Sequence, residues 1–349
     1  MINQLTQNLQ RIGLICTSLV LTPAFAEMSS DSSQTSFSQI TPPAGFAAAQ
    51  GIGFSIYADF IYWQTHVANL DFAESNVSDS GGVISRGSVY YPGFKYQPGF
   101  KVGLAIDVGL DNWDLTAEYV RLNGSGSKNF VTKAEGPSQI AATRPVVVGD
   151  PMSISDLIIA GADGNFGYLY NLVNLDLGRN YFISGNLTLR PFFGLSGAWD
   201  KTSSLVHYTD IDDSDDLSLH YVQHYYGVGY RTGLNTAWCF NENFSIYGDL
   251  TLMNLWSRYQ ANAKETSIFP PAAPTVTYNT QGTQYGLQYV VDIQMGIRWA
   301  MRFNDDTMGF GLQAGWDQQV WINHVQSPVS TSASNLSIQG LDIRARFDF

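Results

Sequence analysis

The chain of 349 residues contains two cysteines, and none of its apolar runs reaches the length of about 20 residues that a transmembrane helix needs. Charge is sparse as well: Asp, Glu, Lys and Arg make up 14%, and 18 basic residues stand against 30 acidic ones. Each shortage excludes something. Cys16 sits in the N-terminal apolar stretch, so the rest of the chain holds Cys239 alone, which allows no intrachain disulfide. Flanked by Trp238 and Phe240, Cys239 reads as a small buried hydrophobe. A net charge of −12 argues against nucleic acid as a partner. The sequence also lacks a Ser/His/Asp spacing, a zinc-binding His pair and a phosphate loop, so no enzyme activity, cofactor or metal is expected.

At the N-terminus, Arg11 precedes an apolar run from Ile12 to Leu21 and then Ala24-Phe25-Ala26, the small-x-small pattern of a secretory cleavage site. Residues 1–26 are therefore expected to be a signal peptide. A lipoprotein reading of Cys16 fails because Ile15 precedes it and cleavage there would cut the apolar run. Residues 27–52 contain Ser, Gln and Pro without periodicity and read as a periplasmic extension, and 53–349 as the folded domain.

What the chain does have is alternation. From Tyr285 to Phe303 every second residue is large and apolar, among them Leu287, Tyr289, Val291, Ile293, Met295 and Ile297, with Gln, Gly, Asp and Arg between. Leu341, Ile343, Ala345, Phe347 and Phe349 repeat the pattern against Asp342, Arg344, Arg346 and Asp348. Soluble strands rarely exceed about 10 residues, whereas a barrel strand can hold lipid on one face and a polar lumen on the other. The fold class expected is all-β: a closed antiparallel transmembrane β-barrel in the bacterial outer membrane.

Period-two runs predict ten strands, near 53–65, 97–109, 112–122, 166–178, 186–200, 219–238, 243–259, 284–303, 308–322 and 336–349. Short links such as Asp111-Asn112 and Ser184-Gly185 alternate with long ones at 66–96, 123–165, 201–218, 260–283 and 323–335, the asymmetry of tight periplasmic turns and long extracellular loops. An extra hairpin within 123–165 would raise the count to twelve. Trp63, Trp199, Trp256 and Trp321 fall near the outer ends and Trp113, Trp238 and Trp299 near the inner ends, which suggests two interfacial girdles.

By parity, the pore-lining candidates are Asp59, Lys101, Asp107, Arg190, Arg231, Asp249, Asp292, Arg298, Arg302, Arg344 and Arg346. Charges of both signs facing a lumen can select ions, or can pair and fill it as a structural network. Phe347 and Phe349 are the candidate assembly signal, since a terminal aromatic resembles what barrel insertion machinery reads. Asp210, Asp212, Asp213, Asp215 and Asp216 could coordinate calcium, but they lack the glycine and distal Glu of an EF-hand, and a solvated external loop is the default. His66, His207, His220 and His324 near the outer side raise a rim protease as a lesser alternative.

Six stretches follow one another along the chain: Tyr57-Ala58-Asp59-Phe60-Ile61-Tyr62-Trp63-Gln64, Pro98-Gly99-Phe100-Lys101-Val102-Gly103-Leu104, Asp111-Asn112-Trp113-Asp114-Leu115, Leu175-Asp176-Leu177-Gly178-Arg179-Asn180-Tyr181, Tyr226-Gly227-Val228-Gly229-Tyr230-Arg231 and Ile338-Gln339-Gly340-Leu341. In their order and spacing they resemble the Legionella-type major outer membrane protein family, which has relatives in chlamydia-related bacteria. The resemblance implies an abundant envelope protein with porin-like and host-contact roles. The partners expected are outer-membrane lipid and lipopolysaccharide, the barrel assembly machinery, a host surface and a second copy of the chain. An adhesive or structural envelope protein without a conducting pore is the alternative. Chlamydial major proteins are rich in disulfide-linked cysteine, and the lone Cys239 departs from that pattern.

Overall fold

The computed structural model describes residues 53–68, 70–77, 88–108, 111–131, 139–142, 159–210, 216–241, 243–268, 275–304, 308–326 and 333–349. The expected signal peptide and N-terminal extension lie outside the described residues, as do most of the acidic cluster and parts of the long loops. In chain order the strands are β1 (Phe54–Val67), β2 (Ala73–Val77), β3 (Val89–Tyr90), β4 (Tyr96–Asp107), β5 (Trp113–Val131), β6 (Gln139–Ala142), β7 (Ile159–Arg179), β8 (Tyr181–Phe182), β9 (Leu187–Asp210), β10 (Asp216–Cys239), β11 (Phe244–Ile268), β12 (Thr275–Phe303), β13 (Met308–Gln326) and β14 (Ala333–Asp348).

Ten of these close on themselves in the order β1-β4-β5-β7-β9-β10-β11-β12-β13-β14, every pairing antiparallel. The seam joins the first strand to the last, from Ser55 opposite Asp348 to Val67 opposite Leu336. Closure leaves no sheet edge in lipid, where an unpaired backbone group would cost several kcal/mol. The count is ten, not twelve. The extra element in the 123–165 loop is β6, and it pairs with β2 of the preceding long loop in a small sheet completed by β3.

Inner turns follow local chemistry. Asp111 and Asn112 take left-handed φ values of 51° and 59°, which Asp and Asn tolerate better than most residues, in the β4–β5 turn across which the Val108 N–H donates to the Trp113 carbonyl (2.9 Å). Asn241 accepts hydrogen bonds through Oδ1 from the backbone N–H groups of Asn243 (3.0 Å) and Phe244 (2.8 Å), closing the β10–β11 turn.

The strands run far beyond the ~9–11 residues that span a bilayer, up to 29 in β12. On β11 the outward chemistry changes along the strand: Phe244, Ile246, Leu250, Leu252 and Trp256 are exposed, and then Arg258, Gln260, Asn262 and Lys264 follow on the same face. That switch marks the outer membrane boundary. Above it the strands persist as polar hairpins, so 201–210, 260–268 and 275–283, expected as loop, are strand. Among the described residues β12 pairs with β13 only from Tyr289 inward, so the β11–β12 hairpin outreaches its neighbour. Tyr285, Leu287, Tyr289, Ile293, Met295 and Ile297 are exposed on the lipid face, as the alternation predicts.

Candidate functional site

The interior is filled rather than open, and it is layered. Where the wall faces lipid, the inward residues are charged. Arg344 donates from Nε to Asp59 Oδ1 and from Nη2 to Asp59 Oδ2, both at 2.7 Å, and from Nη2 to Glu118 Oε2 at 3.3 Å. Glu118 also accepts from Tyr57 Oη at 3.0 Å and from Asn174 Nδ2 at 3.2 Å. Lys101 Nζ sits 2.7 Å from both Asp317 Oδ2 and Asp342 Oδ2, and 4.8 Å from the centroid of the Trp63 ring. Arg190 grips Asp114 through Nε at 2.8 Å and through Nη2, and donates from Nη1 to Asn235 Oδ1 at 2.7 Å. Arg231 Nη1 lies 3.1 Å from Asp176 Oδ2.

Above this ionic layer sits an aromatic one. Trp63 and Trp321 are 1% and 0% exposed, so these two tryptophans belong to the interior and not to the outer girdle. Trp321 packs edge-on against Tyr170 and Tyr225 at 5.7 and 5.9 Å between centroids. His324 is wedged into the same cluster, 4.7 Å from Tyr225 and 5.1 Å from Trp321, with Nε2 3.0 Å from Asp200 Oδ2. Its Nδ1 meets Gln288 Oε1 at 3.2 Å, while Gln288 Nε2 donates to the carbonyl of Ile322 at 2.9 Å.

Of the charges that parity pointed inward, Asp59, Lys101, Arg190, Arg231, Arg298 and Arg346 are buried, and Asp107, Asp249, Asp292 and Arg344 are half-buried. Asp107 lies opposite Asp114 at the inner end, Asp249 opposite Asn235, and Asp292 accepts from Gln319 Nε2 at 3.4 Å. Arg346 Nη2 lies 3.0 Å from Asp348 Oδ2, and Arg298 stacks over Tyr247 at 5.5 Å. Arg302 is solvent-exposed near the inner end of β12 and joins none of these layers. Phe347 packs on Phe310 at 4.8 Å, and Phe349 exchanges backbone hydrogen bonds with Phe54 across the seam. His66 and His220 are exposed, His207 Nδ1 meets Ser218 Oγ at 2.9 Å, and of these four candidates His324 alone is buried.

The charged partners absent from the sequence-based list are Asp114, Glu118, Asp176, Asp200, Asp317, Asp342 and Asp348. All share the inward parity of their strands, so the rule that found the cations would have found them.

Over residues 49–349 the chain matches the family described as Legionella pneumophila major outer membrane protein precursor. No functionally curated protein matches it. Among solved structures, the outer membrane protease OmpT of Escherichia coli is similar at 10% identity, over 87% of this chain and 98% of that one, with a TM-score of 0.44. A major outer membrane protein of Thermus thermophilus is similar at 12% identity over 86% and 100%, with a TM-score of 0.31. OprG of Pseudomonas aeruginosa is similar at 10% identity over 85% and 97%, with a TM-score of 0.25.

Proposed function

The chain belongs to the family of the Legionella pneumophila major outer membrane protein, and on that premise we propose that this outer-membrane barrel is a major structural protein of the envelope whose lumen is closed at rest. The observation that carries the proposal is the filling of the lumen. An open bore would leave its lining wet, yet Trp63, Tyr170, Tyr225, Trp321 and His324 are at most 1% exposed across the barrel's middle. Beneath them the charges engage one another instead of facing a channel. The polar hairpins above the lipid band supply the surface for contact with a host. The chain acts without catalysis on this reading, because the carboxylate-paired histidine, His324, is fully buried among aromatic rings rather than open to solvent at the rim.

A narrow ion conduit is the second reading, and one observation favours it. Among the described residues, Trp63 Nε1, Trp321 Nε1, Tyr168 Oη and Asp200 Oδ1 are buried without a hydrogen-bond partner, and a thread of water would satisfy them. Planar-bilayer recording of the refolded protein separates the two. The closed reading expects no long-lived conductance steps from the wild type. Discrete steps whose ion selectivity moves toward cations in Arg298→Glu would establish the conduit instead, since Arg298 is a buried cation on the inward face of β12.

A further inference from the structure

On the lipid face of β9–β12 the wall carries a hollow of about 610 Å³. Its floor includes Gly197, where a Cβ would meet nothing within 4 Å, and Val228. Trp199, Tyr226, Trp256 and Tyr285 line it, and the last two are 70% and 68% exposed. Register explains the arrangement. Trp199, Tyr226, Arg258 and Tyr285 form one row across four strands, with Lys201, His224, Gln260 and Thr283 in the next outward row and Gly197, Val228, Trp256 and Leu287 in the next inward one. An apolar hollow at the foot of the site thus leads up to Arg258, Lys201 and His224 where the wall leaves the hydrocarbon.

Charge gives a second, independent indication. Although the chain carries a net charge of −12, the outward positions of these strands from the Arg258 row up to the Lys264 row bear Lys201, His220, His224, Arg258 and Lys264 and no carboxylate; the first carboxylate at an outward position among the described residues is Asp216 of β10, four rows above Lys201 and His224. Asp200, Asp249, Glu265 and Asp292 of the same strands lie on the inward parity. Among the described residues, Lys201, His224 and Arg258 therefore have no acidic neighbour in their own outward rows or in the rows next to them. Where Trp and Tyr meet the interface and guanidinium and ammonium groups stand above them, the complementary ligand has acyl chains below and phosphate above.

We propose that this face is a specific binding site for a phosphorylated glycolipid of the outer leaflet, with an acyl chain in the Gly197 hollow between Trp199 and Trp256 and a phosphate held by Arg258 and Lys201. The occupant is the lipid A portion of lipopolysaccharide, because it combines a phosphorylated sugar with several acyl chains in the leaflet this row faces. The site is on the outside of the barrel and does not depend on whether the lumen conducts.

The test is native mass spectrometry of the refolded full chain in detergent with bisphosphorylated lipid A, its dephosphorylated analogue, or phosphatidylglycerol. Wild type is expected to retain one lipid A, at least tenfold more than either comparison lipid. Lys201→Glu/Arg258→Glu should lower lipid A retention at least tenfold, while Lys95→Glu, just before the distant β4, should not. Gly197→Leu supplies a variant that keeps every charge and blocks the hollow, and should also lower retention. Heat-modifiability confirms that each variant is folded. Equal retention of phosphatidylglycerol or of the dephosphorylated analogue, or undiminished lipid A retention in the folded charge-reversal variant, would overturn the proposal.

Discussion

The sharpest consequence of the filled lumen concerns Arg344. Its guanidinium makes two parallel 2.7 Å bonds to Asp59, a 3.3 Å contact to Glu118, and lies 4.1 Å from the centroid of the Tyr57 ring. The Asp59 side chain is 0% exposed and that of Glu118 16% exposed. Arg344→Met keeps most of the aliphatic volume and removes the charge, leaving two carboxylates facing each other with no cation between them. Breaking a buried pair by removing one partner costs about 3–5 kcal/mol, because the remaining charge stays desolvated. At ~1.4 kcal/mol per tenfold, the folding equilibrium should fall by a factor of about 100 to several thousand.

The double variant Asp59→Asn/Arg344→Met removes both charges, leaves Glu118 its bonds from Tyr57 and Asn174, and should cost about 1–3 kcal/mol, the scale of unsatisfied neutral polar groups. The double variant would then be more stable than Arg344→Met alone. Urea titration in detergent, read by tryptophan fluorescence and by the folded band on unboiled gels, measures all three proteins. A single variant within about 1 kcal/mol of wild type, or a double variant no more stable than Arg344→Met alone, would show that water reaches this pair and that the lumen is not sealed.

Other expectations follow from single contacts. Gly340→Ala should weaken the seam by about 1–3 kcal/mol, since a Cβ there would stand 2.2 Å from the Tyr62 carbonyl oxygen, a backbone atom that cannot turn aside; a wild-type urea midpoint would contradict this. Deleting Phe349 removes both backbone bonds to Phe54 (2.8 and 3.2 Å) and should reduce the heat-modifiable barrel recovered from outer membranes, where undiminished recovery would assign the aromatic end no assembly role. His324→Phe should lower the thermal midpoint in detergent by leaving buried Asp200 without its imidazole neighbour, and His324→Phe with Asp200→Asn should regain part of the loss; no regain would mean the 3.0 Å contact does not contribute to stability.

The inner half of the wall was legible in the sequence because two periodicities agree there. Lipid selects one face of β12 from Tyr285 to Phe303 and the lumen selects the other, so the alternation survives averaging. Above the boundary that contrast disappears. At Gln260, Asn262 and Lys264 the outward face of β11 is in water and the inward face offers only the small Ala261 and Ala263 and then Glu265, so the alternation is faint and the stretch reads as loop although the hairpin continues to Ile268. Height alone placed Trp63 and Trp321 in the girdle. Parity places them inside, because Trp63 shares a face with Asp59 and Trp321 with Asp317. The pairing of β6 with β2 joins two loops far apart in sequence, and no local pattern announces it.

The ionic layer also explains how a barrel with few charges fixes its register. Sliding any strand by one residue turns every side chain to the opposite face. For β14 that slip would drive Asp342, Arg344 and Arg346 into hydrocarbon and bring Leu341, Ile343 and Phe347 inside, where they could not pair with Lys101 or Asp59. An Arg at the bilayer midplane costs about 2–4 kcal/mol, so a single slipped strand forfeits several kcal/mol even before the partners it leaves unpaired are counted. The same reasoning holds for β4 through Lys101, β9 through Arg190 and β10 through Arg231, each engaging a carboxylate on another strand. Charges inside this barrel therefore have a structural reason to be there that requires no current to flow past them.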